Sequence, residues 1–211
     1  MELVDAIRAR RSVKAYDPEH RMSEEELRHL LSHAFLSPSS FNMQNWHVVV
    51  VTDQEQKDRL CAAAWNQTQV KEASVTLVVA GAIDGWTDVA HYTRKAPEPV
   101  REMFAGMVPG FYGDNPQLAR DEALRSVGIL GQSLMLLAKD MGYDSCPMIG
   151  FDPAAVAEIV GLPEERPPLL MLPIGKAARP ANPRMGLRSL DEMVSADRYG
   201  TPGLTGELDE S

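Results

Sequence analysis

Three short apolar runs limit what this chain can fold into. They are WHVVVVT at 46–52, SVTLVVAG at 74–81 and PLLMLPIG at 168–175. Each is short, bounded by turn residues and rich in valine or leucine, so each reads as a strand buried in a sheet. Helical patterns lie between them. Residues 2–9 carry a short stripe of Leu3, Val4, Ala6 and Ile7. In 23–36, Ser23 and Glu26 form a capping box, and Leu27, Leu30, Leu31 and Ala34 follow at helical spacing until Pro38. Asp53 is placed to cap a helix over 54–65, and Asp152 with Pro153 opens one that runs to Val160. The longest helix spans 117–141, stops at Gly142, and is apolar on nearly every face in VGILGQSLMLLAKDM. Strands and helices alternate throughout, which predicts a sheet covered by helices on both faces.

The length of 211 residues is that of one domain, and 44% hydrophobic residues can fill a real core. We expect a single domain over 1–211, with the polar tail 195–211 either frayed or laid as an arm on a partner. No apolar run has membrane-spanning length, and the N-terminus has no separate apolar core of the kind a signal peptide needs. The two cysteines, Cys61 and Cys146, sit in no metal-binding or redox motif, so a reducing, cytoplasmic setting is expected. With 21 basic and 30 acidic residues the chain carries a net charge of −9, which argues against nucleic acid and anionic membrane as partners. An acidic chain can still hold an anion, through a local basic cluster.

RARRSVKAY at 8–16 supplies such a cluster. In an extended chain alternate residues share a face, so Arg10, Ser12 and Lys14 project together as two cations and a hydroxyl. A second stretch, SPSSFNMQNW at 37–46, brings Ser39, Ser40, Asn42 and Gln44 to the mouth of the first strand. These groups orient a polar ligand or cap their own loop; they do not attack one. A third, SCPMIGFD at 145–152, has a glycine that permits close backbone approach to a ligand. Motifs for dinucleotide-binding turns, phosphate loops, serine nucleophiles and zinc helices are absent, and His29 and His33 lack a third ligand. No metal is expected. The stretch 82–116 reads as one or two helices and a loop with scattered aromatics, a candidate pocket wall.

Taken in order, RRSVKAY, SPSSFNMQNW and CPMIGFD, with NQTQ at 66–69, resemble the FMN-dependent nitroreductase family. The resemblance implies an α+β fold: a three-layer α/β/α sandwich around a mixed, mostly antiparallel sheet. It implies a homodimer with FMN at the subunit interface, the apolar helix 126–141 being spent on that interface. It implies ping-pong transfer from NADH or NADPH to small nitroaromatic, quinone or related acceptors. The chemistry is then carried by the flavin, with no protein nucleophile.

Carried over by position, Arg10, Arg11 and Ser12 are expected at the phosphate and ribityl chain, and Lys14 at the ring's pyrimidine edge. Pro38, Ser39, Ser40 and Asn42 are expected to reach from the partner. Asn66 and Gln69 should meet the ring's polar edge; relatives often carry lysine where this chain has Gln69. Pro147, Met148, Ile149 and Gly150 should pass beside the reactive nitrogen, with Ile149 where relatives have glutamate. Arg184 and Arg188 are the C-terminal phosphate candidates, Arg188 favoured. Ser40, Phe104, Phe111 and Tyr112 are expected to wall the substrate pocket. Rival readings on the same fold are reductive dehalogenation, flavin fragmentation, a non-catalytic flavin-binding protein and a cofactor-free structural dimer.

Overall fold

A computed structural model describes residues 1–208. In chain order the helices are α1 (Leu3–Ala9), α2 (Glu24–Ala34), α3 (Gln54–Ala63), α4 (Gln69–Glu72), α5 (Val89–Tyr92), α6 (Glu98–Tyr112), α7 (Pro116–Asp140), α8 (Pro153–Val160) and α9 (Leu190–Met193). The strands are β1 (Trp46–Val51), β2 (Val75–Gly81), β3 (Asp144–Ser145) and β4 (Pro168–Gly175). They form one sheet in the order β1-β2-β4-β3, with all three ladders antiparallel. Among the described residues the one parallel pairing is an isolated bridge between Ser12 and Ser145.

The three apolar runs are the strands β1, β2 and β4, and β2 is buried along its whole length. Its side chains alternate between two cores. Val75, Leu77 and Val79 pack with Leu30 and Ala34 of α2 and with Val127, Leu130, Leu134 and Ala138 of α7. Val78 faces the other way, toward Leu60 and Cys61 of α3 and Val156 of α8. A strand that is apolar on both faces thus forces the three-layer arrangement.

The helix starts follow their caps. Ser23 and Glu26 make the reciprocal capping box, Asp53 accepts from the Gln56 N–H at 2.9 Å, and Asp152 accepts from Ala154 and Ala155. Gly142 and Gly161 follow α7 and α8 with φ of +75° and +69°, a conformation that ends a helix cheaply only at glycine.

The long helix turns one face into the core. Ser126, Val127, Leu130, Gly131, Leu134 and Ala138 are spent on this chain's own core. Leu124 and Ile129 are exposed, and half-buried Leu136 and Leu137 line a groove with Leu3 and Ala6 of α1 and with Leu36 and Pro38. The aromatics of 82–116 also have a job inside the chain. Phe41 meets Phe104, Phe111 and Tyr112 at ring-centre distances of 5.4, 5.8 and 6.3 Å. Among the described residues no helix is long and apolar enough to cross a membrane. The last three positions of the tail, 209–211, lie outside the described residues.

Candidate functional site

Three chain segments converge on an open cavity of about 600 Å³ at the β3 edge of the sheet. The first is 10–14. Its backbone runs beside β3, with the Val13 N–H donating to the Ser145 carbonyl at 3.1 Å. Val13 and Tyr16 point inward and are buried, and the Tyr16 hydroxyl donates to the Pro173 carbonyl at 3.3 Å. With Val13 anchored, the two-residue period turns Ser12 and Lys14 outward into the cavity, where Arg10 and Arg11 join them.

The second segment, 146–150, runs against β4. Cys146 and Met148 donate to the carbonyls of Pro173 and Met171 at 3.1 and 2.8 Å, and Met171 returns a bond to Met148 at 3.0 Å. Cys146 and Met148 are therefore buried while Pro147, Ile149 and Gly150 form the cavity wall. The N–H groups of Ile149 and Gly150 hydrogen-bond to nothing among the described residues, leaving two backbone donors at that wall.

The third segment is the loop Asn182, Pro183, Arg184 and Met185. Arg184 donates to the carbonyls of Ile7 and Arg8 at 3.3 and 3.2 Å, the exposed C-terminal end of α1, which favours a cation.

Four cations thus line one cavity, and no carboxylate is among its lining residues. Their proximity shows in Arg10, whose pKa is lowered first by burial and then by repulsion from Arg184 and Arg11. In Cys146, burial pushes the thiol pKa up, with Lys14 and Arg10 pulling the other way. A net-negative chain that gathers unneutralised cations here has built an anion site. The backbone N–H pair and a wall of Pro147, Ile149 and Met185 add donors and apolar surface for the remainder of a ligand. The donor set fits a phosphate ester carrying a planar polar ring, and the volume falls in the usual range for small-ligand sites, about 300–1,000 Å³.

Not every expected residue lies here. Arg184 lines the cavity, whereas Arg188 is exposed and outside the lining. Asn66 is exposed on the neighbouring turn, and Gln69 is buried at 4% exposure behind Gln67, which does line the cavity. The resemblance had pointed to Gln69; in this chain Gln67 lines the cavity and Gln69 lies behind it. Trp65, also not anticipated, lies 67% exposed against Gly150, where an added Cβ would sit 3.0 Å from its ring. Ile149, in a position where a carboxylate was conceivable, is 83% exposed at the mouth.

The 37–46 segment stands apart. Within this chain its polar groups bond to the loop itself and to the neighbouring Tyr92 and Tyr112. Ser39 accepts from the Gln44 N–H at 2.8 Å, the Asn42 amide donates to the Tyr92 carbonyl at 3.1 Å, and Ser40 pairs with the Tyr112 hydroxyl at 3.2 Å. Pro38, Ser39, Ser40 and Asn42 do not line the cationic cavity, and neither do Phe104, Phe111 and Tyr112. Backbone strain nonetheless marks both regions. Of the six non-glycine residues with positive φ among those described, Phe41, Asn42 and Gln44 lie in this loop, and Trp65 and Asn66 lie in the turn beside Gly150. Such strain persists only where the surrounding structure enforces it, and it concentrates at ligand sites.

The nitroreductase family model matches residues 7–176, most of the chain. The chain belongs to the nitroreductase family. Among the family's curated members, the DrgA protein of Synechocystis is 46% identical over 182 residues, spanning 86% of this chain and 87% of its own. Among solved structures, the NAD(P)H:FMN oxidoreductase-type protein SE1966 of Staphylococcus epidermidis superposes with a TM-score of 0.87 at 26% identity, over 92% of this chain and 95% of that one. A nitroreductase-type protein of Exiguobacterium sibiricum, solved in complex with FMN, superposes with a TM-score of 0.84 at 30% identity, over 93% and 98% of the two chains. These likenesses carry the nitroreductase-like α+β fold to this chain.

Proposed function

We propose that this nitroreductase-family protein is an FMN-dependent oxidoreductase that takes electrons from NADH or NADPH and reduces nitroaromatic, quinone or related small acceptors. The observation that carries the reading is the carboxylate-free cavity lined by Arg10, Arg11, Lys14 and Arg184 beside the free N–H groups of Ile149 and Gly150. The FMN complex of the Exiguobacterium relative supports it. FMN, when bound, supplies hydride acceptance and donation.

The chain's own residues bind and orient. Arg10, Arg11 and Arg184 neutralise the phosphate, with Ser12 as a hydroxyl partner. Lys14 places a fixed positive charge at the ring's polar edge, which favours the reduced, more negative state. The Ile149 and Gly150 N–H groups would serve as donors to the ring, and Trp65 and Ile149 would cover it at the mouth. Donor and acceptor use that mouth in turn, which makes the kinetics ping-pong.

The active unit in this reading is a homodimer. Leu3, Val4, Ile7 and Leu36 are exposed around the groove between α1 and α7, an apolar surface that a second copy would cover. Pairing would also bring the strained loop with Ser39, Ser40 and Asn42, and the Phe104, Phe111 and Tyr112 cluster, to the partner's cavity. We assign the protein to the cytoplasm.

The test is the visible absorption spectrum of freshly purified protein. A flavin spectrum with FMN released on denaturation, followed by NAD(P)H oxidation with a quinone or nitroaromatic, is the expected outcome. A colourless protein that takes up no added FMN would overturn the reading.

A further inference from the structure

Beside the cationic cavity two glutamines form a directed chain of hydrogen bonds. The Gly150 carbonyl can only accept, so the group of Gln67 that faces it at 3.0 Å is the amide N–H. The Gln67 oxygen is then turned toward Gln69, whose amide nitrogen donates to it at 3.1 Å. The same Gln69 nitrogen lies 3.6 Å from the Met148 sulfur, a weak acceptor. The two amide–carbonyl bonds run in one sense, from Gln69 through Gln67 to the Gly150 carbonyl at the wall of the cavity. Amide dipoles aligned this way strengthen one another.

The chain fixes two things. It holds the Gly150 carbonyl, and with it the backbone next to the unpartnered N–H groups of Ile149 and Gly150 at the cavity wall. It also leaves the second Nε2 proton of Gln67, a lining residue, as a donor of fixed orientation. Gln69 is buried and does not itself line the cavity; it meets the wall through Gln67 and through the Met148 sulfur.

We propose that Gln67, oriented by the positioning residue Gln69, is a neutral hydrogen-bond donor to the electron-accepting ring and clamps the Ile149–Gly150 wall against it. This rests on the flavin reading above. Reduction adds negative charge to the ring, so a preorganised donor interacts more strongly with the reduced form. Removing it lowers the reduction potential. Because Gln67 is neutral, it assists without adding to the repulsion among the four cations already present.

Two readouts test this. One is the midpoint potential of the bound flavin. The other is amide hydrogen exchange of the 147–152 segment in flavin-free protein, which needs no cofactor. Gln67→Met keeps the length and removes the amide. It should lower the midpoint potential and speed exchange of the segment about fivefold, the loss of one ordinary hydrogen bond. Gln69→Glu keeps the shape but cannot donate to the Gln67 oxygen when ionised, and should move both readouts the same way. Gln69→Lys restores a donor and should return exchange to the wild-type rate. If Gln69→Glu does not fold, Gln67→Asn, too short to span both partners, replaces it with the same expectation. An unchanged potential in Gln67→Met and in the second variant overturns the donor role, and unchanged exchange overturns the clamp. If wild-type protein binds no FMN, the functional reading fails and the donor role falls with it; exchange still decides the clamp by itself.

Discussion

Arg184→Met should weaken FMN binding about tenfold at about 0.1 M salt, while Arg188→Met leaves it nearly unchanged. The magnitude follows from what Arg184 has left to offer. A guanidinium carries five N–H donors, and Arg184 spends bonds on the carbonyls of Ile7 and Arg8. Those bonds point the rest of the group into the cavity. A hydrogen bond to a charged partner contributes about 1.5–3 kcal/mol, or roughly a 10- to 150-fold change in affinity. One effect pulls the value down. Arg184 is only partly buried at the rim of an open cavity, where water screens the charge and competes for the bond, so the lower end of the range is expected. Quenching of FMN fluorescence on titration with apoprotein gives the dissociation constant. The difference between wild type and Arg184→Met should shrink as salt rises, because the screening length falls below about 10 Å above that salt concentration. An Arg188→Met variant that loses as much affinity as Arg184→Met, or an Arg184→Met variant that loses none, would refute the assignment.

Two further outcomes are expected. The Glu26 carboxyl is held below its ordinary value by hydrogen bonds from the Ser23 backbone and side chain, and then by the Tyr143 hydroxyl. Its stabilisation is present above the unfolded-state value near 4.5 and fades as the pH falls through the lower folded value. Denaturant melts of Glu26→Gln should accordingly show a flatter loss of stability on the acid side than wild type; equal slopes would rule the contribution out. Leu36→Asp places a charge on the exposed apolar groove and should shift sedimentation from dimer to monomer, whereas an intact dimer would show that the pairing surface lies elsewhere.

The sequence by itself determined the layers and most element ends. Short runs apolar on both faces read as strands between two layers of helices, although β1 proves to lie at the sheet's edge, and Ser23, Asp53, Asp152, Gly142 and Gly161 start or stop helices through local geometry that needs no distant partner. It also located the basic segment, because an extended chain anchored at Val13 must turn Arg10, Ser12 and Lys14 the same way.

Only the tertiary structure decided which cations meet. Arg184 comes from a loop more than 170 residues away from Arg8, and it is drawn in by the open carbonyls at the end of α1 rather than by any pattern around it. The choice of Gln67 over Gln69 was likewise invisible in the string. It depends on the left-handed Trp65 and Asn66, which swing the turn so that one glutamine faces the cavity and the other is buried behind it. Local sequence sets local conformation. Which side chains share a cavity is set by long-range packing, and that information lies in the contacts between β4, the 146–150 segment and the chain's two ends.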